Sequence, residues 1–386
     1  VSPGADLDGV ELVHLRLPLV APWVTTLGVI DRRDVLLVRM VVGGVGGWGE
    51  CVAQPEPTYS AEYVEGAADV LRRHLIPRVV GIRGPCSAAT VRSRLAPVKG
   101  HPMARTALEV AALDAGLRAE PRSLAQALAT SCHPPVTVPA RAVTAGVAVG
   151  VTGDVDALVD EVAGRVAEGY RRVKLKIHPG WDAVPVGAVR SRWAAGELLL
   201  QVDANGSYAG VDDPVAALAP LDEAALLLVE QPLGDEDLLG HAALARSLRT
   251  PVCLDESITS AAMAATALAV GACTVVNVKA GRVGGLAEAV AIHDLCRAAG
   301  VAVWCGGMLE TGIGRATNLA LASLPGFTLP GDLSAADRFW ADDIVTVPAR
   351  LGPDGTIAVP DGPGLGVEVR EDLSDVTVRR EWYPTA

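Results

Sequence analysis

Arg171-Arg172-Val173-Lys174-Leu175-Lys176-Ile177 is the stretch from which both the fold and the chemistry can be read. The chain holds 33 Lys and Arg residues, and only four are Lys, at positions 99, 174, 176 and 279. Wherever a positive charge merely has to be present, this sequence uses Arg. Lys differs in that its ammonium can lose a proton, whereas a guanidinium in a protein stays charged. Side chains alternate along an apolar, β-favouring run, so Lys174 and Lys176 share one face and Leu175 takes the other. Lys279 closes a second such run, Thr274-Val275-Val276-Asn277-Val278. Solvated lysines on an edge strand are the ordinary alternative. The scarcity of Lys in this chain, and its rarity in buried positions generally, favour a functional pair.

Outward from that stretch, strand-like and helix-like segments alternate. The apolar strand candidates are residues 141–149, 171–177, 198–203, 225–230, 251–255, 274–279 and 301–305. Helical segments lie between them, such as Val155–Glu168, 215–218, 240–248, 261–270 and Leu286–Ala299. The units recur at roughly 25 residues, the length of a strand, a helix and two short loops. Strands apolar on both faces imply a parallel sheet covered by helices, and this many units point to a barrel. The strand ends then carry Lys174 and Lys176, Asp203 and Asn205, Glu230, Asp255 and Glu256, and finally Lys279. In a parallel barrel these ends converge on one rim. Three carboxylates meeting in a low-dielectric mouth repel unless a cation joins them. All-oxygen ligands select a hard divalent ion, Mg²⁺ first and Mn²⁺ second. Strand-end acids can also cap the helices that follow. A consecutive series flanked by lysines on both sides is better explained as a site.

The flanks read differently. Residues 10–19, 34–42 and 46–52 suggest strands; 60–80, 87–96 and 102–119 suggest helices, the last amphipathic. Gly44-Val45-Gly46-Gly47-Trp48-Gly49 matches the dinucleotide-binding fingerprint letter for letter. It runs into Glu50-Cys51-Val52-Ala53, a strand continuation with no phosphate-facing helix, so a hairpin turn is expected. After about residue 330 the alternation stops. Turn-rich strand signals follow over 343–370, including Pro353-Asp354-Gly355 and Pro360-Asp361-Gly362. The expected organisation is an α/β protein with an α+β capping domain over 1–135, a barrel over 136–330 and a segment 331–386 returning to the cap.

Composition narrows the function classes. Of 386 residues half are hydrophobic, with 41 Gly and 26 Pro punctuating many short elements. The formal charge of −12 argues against a nucleic-acid partner. Seven scattered cysteines show no zinc-ligand spacing, and their odd number reads as reduced thiols in a cytoplasmic protein. No run approaches the ~20 apolar residues of a membrane span. Residues 10–30 come nearest and are interrupted by Glu11, His14, Arg16, Pro18 and Pro22. No membrane partner and no basic-then-apolar leader are expected.

Lys174-x-Lys176, Asp203, Glu230, Asp255 and Lys279, in this order, resemble the enolase superfamily in its muconate-lactonising-enzyme-like branch, which pairs Lys bases with Mg²⁺. Further segments narrow the resemblance to the o-succinylbenzoate synthase and N-acylamino acid racemase group. These are Gly47-Trp48-Gly49-Glu50-Cys51, Tyr59-Ser60-Ala61-Glu62-Tyr63, Val229-Glu230-Gln231-Pro232-Leu233, Leu254-Asp255-Glu256-Ser257, Trp304-Cys305-Gly306-Gly307-Met308-Leu309-Glu310-Thr311-Gly312 and Leu329-Pro330-Gly331-Asp332. The resemblance implies a modified (β/α)7β TIM-like barrel under a cap built from both chain ends. It implies Mg²⁺, with Mn²⁺ as substitute, on Asp203, Glu230 and Asp255. Lys174, Lys176 and Lys279 would be catalytic. Trp23, Leu27, Tyr59, Asn205, Gly307 and Met308 would contact substrate, with Glu256 and Glu310 supporting from behind.

The implied reaction is removal of the proton α to a carboxylate, giving an enediolate stabilised by the metal as Lewis acid. Lys176 would be the base, pushed toward the neutral amine by the neighbouring Lys174 and the cation. Lys279 would work from the opposite face. The activities implied are the dehydration that forms o-succinylbenzoate in menaquinone biosynthesis, N-acylamino acid racemisation, or both. The substrate would be a small-molecule carboxylate and the enzyme a homo-oligomer. A dipeptide epimerase or muconate cycloisomerase is the nearest alternative. A Schiff-base aldolase needs one lysine and no acids, and a non-catalytic relative would lack an acid or a lysine. Four positions depart from the group: Ala280 replaces Pro, Trp23 and Leu27 align with two Phe, and His178 stands where an acid is expected. They bear on which substrate is taken.

Overall fold

Gly43 and Gly44, with φ of 53° and 79°, turn strand β2 (Gly28–Val42) into β3 (Val45–Cys51). Two successive left-handed residues make the hairpin turn whose twist matches its strands. The structure, a computed structural model, describes residues 5–25 and 28–385. Strand β1 (Leu7–Thr25) pairs antiparallel with β2 over most of its length, from Leu7 opposite Val42 to Trp23 opposite Ile30. The segment 20–30 is therefore strand wherever it is described. The register shifts between Pro18 and Trp23, where Pro18 and Pro22 lack the N–H that a ladder needs. Leu27 lies outside the described residues. Strand β13 (Thr377–Pro384) adds to the other side of β1, Val10 opposite Tyr383, so the sheet runs β13-β1-β2-β3. The last strand of the chain thus completes the first sheet.

The helix Pro102–Ala119 is buried almost all round instead of along one stripe. It lies between β3 and the barrel, which removes the polar face that an amphipathic surface helix would show. A Cβ at Gly47 would stand 2.1 Å from Ala115 N, and one at Gly49 would stand 2.0 Å from Ala107 O. On its other side Thr106 Oγ1 donates to Ala280 O at 3.3 Å, and Glu109 accepts from Ala287 N at 3.1 Å. So only Gly43-Gly44 make the turn. Gly47 and Gly49 lie within β3 and serve helix contact, which corrects the reading of the whole glycine run as a hairpin turn.

Seven parallel strands form a curled sheet in chain order: β5 (Val147–Val149), β6 (Arg172–Lys176), β7 (Leu199–Asp203), β8 (Val229–Glu230), β9 (Val252–Leu254), β10 (Val275–Val278) and β11 (Ala302–Cys305). The chain around 327–332 lies against both edges, with Phe327 bridged to Val303 and Gly331 to Ala145. The expected strand 141–149 is divided. Its first part, β4 (Ala142–Thr144), leaves the barrel and pairs antiparallel with β12 (Thr356–Ala358). Gly146 marks the break: a Cβ there would stand 2.6 Å from Gly331 O and 2.7 Å from Arg172 Cζ. Helices Leu124–Ser131, Ala183–Arg192 and Gly312–Ala322 complete the pattern. One apolar core, with Val173, Leu200, Val276 and Leu319, fills the barrel layers. A second, with Leu12, Val38, Leu71 and Ala107, fills the cap. All seven cysteines are free thiols, and among the described residues no helix is long and apolar enough to cross a membrane.

Candidate active site

All five residues of β6 are buried. Val173 and Leu175 join the apolar core, and the alternation sends Arg172, Lys174 and Lys176 into the barrel. Parallel register then carries the acids across the rim. Lys176 stands beside Asp203, and Asp203 beside Glu230. Glu230 stands beside Cys253, so Asp255, two residues on, faces the same way. Lys174 Nζ lies 2.9 Å from Glu230 Oε2, 3.1 Å from Asp203 Oδ2 and 2.5 Å from Asp332 Oδ2. Lys176 Nζ donates to Asp203 Oδ2 at 2.6 Å and to Asn205 Oδ1 at 2.5 Å. Across the rim, Lys279 Nζ donates to Asp255 Oδ2 at 2.8 Å and to Tyr59 Oη at 3.0 Å.

Burial and charge compete at each group. Burial alone would lower the Lys174 ammonium, but Asp332, Glu230 and Asp203 outweigh it and raise the group. Burial likewise opposes the charge on Lys279, and Tyr59, Glu256 and Glu230 restore it and raise the group. Burial would raise Asp203, yet Lys176 and Lys174 hold it well below the usual carboxylate range. Glu230 is raised by burial and then by Asp203. Glu256 is pushed up to about 7 by burial and next by Asp203. Its Oε1 accepts from Asn205 Nδ2 at 2.7 Å, while Oε2 is buried without a partner.

The expected substrate residues that the structure describes come together. Trp23, Tyr59, Asn205, Gly307 and Met308 line a cavity of about 600 Å³ together with Lys174, Lys176 and Lys279. Trp23 meets Phe339 edge-on at 5.9 Å and lies 5.4 Å from the Arg338 guanidinium, forming one wall. Tyr59, expected to contact substrate, also has its hydroxyl on Lys279 and 3.3 Å from Asp255 Oδ1, within reach of the chemistry. Glu310 accepts from Met308 N at 2.9 Å and from Asn318 Nδ2 at 2.8 Å, fixing the turn that carries Gly307 and Met308. His178 lies in a turn bridged to Trp181 and is not part of the cavity lining.

Four residues of the site were not anticipated. Arg172 pairs with Asp332 at 2.5 Å; Arg282 pairs with Asp255 and approaches Tyr59 Oη at 3.2 Å; Asn277 Nδ2 donates to Glu230 Oε1 at 2.6 Å. Arg172 was within reach of the sequence, since the alternation that faces Lys174 inward faces residue 172 inward too. Asp332 closes the segment Leu329-Pro330-Gly331-Asp332, already part of the resemblance. Nothing local in the sequence marks Arg282.

Cys132, His293 and Asp294 also approach one another, outside this cavity. His293 Nε2 accepts from Gly326 N at 3.0 Å, so the proton is on Nδ1, which donates to Asp294 at 2.8 Å. That tautomer leaves His293 no free lone pair for a metal, and the group is a structural hydrogen-bond network.

With the geometry established, comparison with known proteins gives a consistent result. Residues 157–373 match the family described as enolase C-terminal domain-like, and 9–129 match the N-terminal domain of the mandelate racemase and muconate lactonizing enzyme family. An N-succinylamino acid racemase from Amycolatopsis is 52% identical over 97% of this chain and 99% of its own. The o-succinylbenzoate synthase of Bacillus subtilis is 42% identical over 95% of each chain. A crystallised enolase-superfamily member from Listeria innocua superposes with a TM-score of 0.90 at 35% identity, covering 99% of this chain and 100% of that one. Similarity on this scale, over both the cap and the barrel, places the chain in the enolase superfamily, among the o-succinylbenzoate synthases and N-succinylamino acid racemases.

Proposed function

We propose that the protein is a Mg²⁺-dependent enzyme that removes the proton α to a carboxylate, racemising N-succinylamino acids and forming o-succinylbenzoate in the same site. The observation that carries this reading is the sheet order. Lys176 on β6 and Lys279 after β10 flank β7, β8 and β9, whose ends bear Asp203, Glu230 and Asp255. Two lysines on opposite sides of one acidic centre suit a carbon that loses a proton on one face and gains it on the other. The relatives named N-succinylamino acid racemase and o-succinylbenzoate synthase supply the substrate class.

The residues fit a hard divalent cation. Their donors are all oxygen, and all three carboxylates are buried. The Lys174 ammonium, itself a cation, already sits within hydrogen-bond distance of both Asp203 and Glu230. Asp203, Glu230 and Asp255 would hold the ion. Bound there, Mg²⁺ would act as a Lewis acid on the substrate carboxylate and stabilise negative charge as it develops.

The chain's own residues do the rest. Lys176 Nζ, as the neutral amine, takes the α-proton, and the C–H electron pair moves into the carboxylate to give an enediolate. Lys279, as the ammonium, returns a proton to the opposite face of that carbon, and the carboxylate is restored. In the dehydration, the pair left by the α-proton expels the neighbouring hydroxyl as water, with Lys176 ammonium returning the proton and Lys279 contributing charge. Trp23 and Met308 line the cavity above.

The test is incubation with each enantiomer of an N-succinylamino acid, and with the cyclohexadiene precursor of o-succinylbenzoate, in deuterated water with Mg²⁺. Loss of the α-proton signal with inversion is the expected result for the amino acids, and aromatic product for the precursor. A chelated preparation should be inactive until Mg²⁺ is restored. Full turnover without a divalent ion would overturn the metal assignment.

A further inference from the structure

Lys174 touches three carboxylates, and only two of them are proposed cation ligands. Asp332, the third, reaches it from the segment that lies against the free edges of the sheet, where Gly331 bridges Ala145. Its other oxygen, Oδ1, accepts from Arg172 Nη1 at 2.5 Å. Arg172 is fully buried and held by several contacts: Nε and Nη2 donate to Pro330 O at 3.2 and 2.7 Å, and the guanidinium lies 5.1 Å over the Trp304 ring. Lys174 Nζ lies 5.0 Å over the same ring. Asp332 is therefore fixed from behind and presents one oxygen to Lys174. An ammonium on Asp203 and Glu230 occupies the oxygens that a divalent cation would need, and the two like charges repel.

We propose that Asp332, held by Arg172, is a positioning residue that draws the Lys174 ammonium off Asp203 and Glu230 and so removes one competitor for the oxygens that a divalent cation would need. This rests on the functional reading above. Asp332 makes and breaks no bond; it decides where Lys174 stands while the cation is bound. Lys174 remains beside Lys176 without competing for the acids.

The test uses Mn²⁺ as the probe, titrated into the full chain and followed by the electron paramagnetic resonance of the free ion. Asp332→Asn is expected to weaken Mn²⁺ binding by ~10–100-fold, the range for losing an outer partner of a metal site. In a Lys174→Met background the same substitution should change affinity by no more than about twofold, the scatter of independent sites. A purely structural Asp332 would weaken binding equally in both backgrounds. Asp332→Asn alone strands a buried guanidinium, which can itself unfold a protein. The titration is therefore repeated on Arg172→Gln/Asp332→Asn, which leaves no buried charge unpaired and should show the same weakening. Unchanged affinity in these variants, or equal weakening with and without Lys174→Met, would overturn the inference alone. Absence of Mn²⁺ binding by the parent protein would overturn the functional reading and the inference with it.

Discussion

Gly306 fixes the path of Lys279: a Cβ at 306 would stand 2.5 Å from Lys279 Cε and 2.4 Å from Asn277 Oδ1. Asn277 is tied to Glu230, so it cannot yield freely, and the strain of a methyl group falls on the lysine. Gly306→Ala should therefore displace the Lys279 amine by a fraction of an ångström to an ångström. A displacement of that size costs about 10²-fold in rate. The overpacking itself should cost only ~1–3 kcal/mol of stability. Steady-state kinetics beside urea unfolding would check this, and an unchanged kcat in a well-folded variant would refute it.

Lys176 and Lys279 should separate by face. Arg keeps the charge of either but cannot reach the neutral amine. Lys176→Arg and Lys279→Arg should each abolish racemisation, while each variant still exchanges the α-proton of one enantiomer with solvent. For the dehydration, Lys176→Arg should lose ~10²–10⁴-fold, the contribution of a general base. Lys279→Arg should retain more of that activity, because charge alone serves there. Enantiomer-resolved deuterium exchange decides the matter. If Lys176→Arg exchanged both enantiomers at the parent rate, Lys176 would not be the base.

The parts of this site legible in the sequence were those set by period and composition. Strand alternation and a chain with four lysines marked Lys174, Lys176 and Lys279, and the strand ends supplied Asp203, Glu230 and Asp255. The barrel class followed from the same spacing. What escaped depends on partners distant in sequence. Asp332 meets Lys174 only because the chain returns to the barrel edge, and Arg282 meets Asp255 from a short helix. The helix Pro102–Ala119 gave a misleading period because two neighbours bury it from opposite sides. Backbone strain was also hidden. Asn205, Gln231 and Leu309, around the rim, have φ of 43°, 39° and 59°. Each such residue outside Gly costs ~1–3 kcal/mol, a cost that tends to collect at functional sites. Gln231 shows what holds it: its Oε1 accepts from Asp255 N at 3.0 Å, and Nε2 donates to Ser257 Oγ at 2.8 Å, so its conformation fixes the turn that bears Asp255.

Trp23 should set acyl preference without touching the metal centre. Its ring contacts Phe339 and Arg338 at the cavity wall and meets none of the three acids. Trp23→Ala opens that wall, and losing a large aromatic contact shifts discrimination between substrates by ~10–200-fold per methylene-scale mismatch. The ratio of kcat/KM for N-succinyl over N-acetyl substrates should change by at least the lower bound, with Mn²⁺ affinity the same as in the parent. A ratio that does not move would assign acyl selection to the barrel residues instead.

Glu62 should give the cap its own dependence on pH. Its carboxylate accepts from Met103 N at 2.8 Å and Ala104 N at 2.9 Å, in the first turn of the helix Pro102–Ala119, where the His101 side chain makes no cap. Burial pushes the group up from 4.5 to about 7, while the two N–H bonds and the more distant Arg105 pull the other way. A carboxyl whose pKa is higher folded than unfolded binds its proton more tightly in the native state. Its contribution is fully present below about pH 4.5 and is lost as the pH rises through about 7. Over that window the parent should lose up to about 3 kcal/mol from this one group. Glu62→Gln keeps an acceptor but cannot ionise, and its amide must turn an N–H toward one of the two backbone donors. The variant should therefore be less stable than the parent at pH 5 and close the gap, or overtake it, by pH 8. Urea unfolding of both proteins at intervals between those values measures the difference. A gap that stays constant across the range would show that Glu62 does not titrate there in the folded protein.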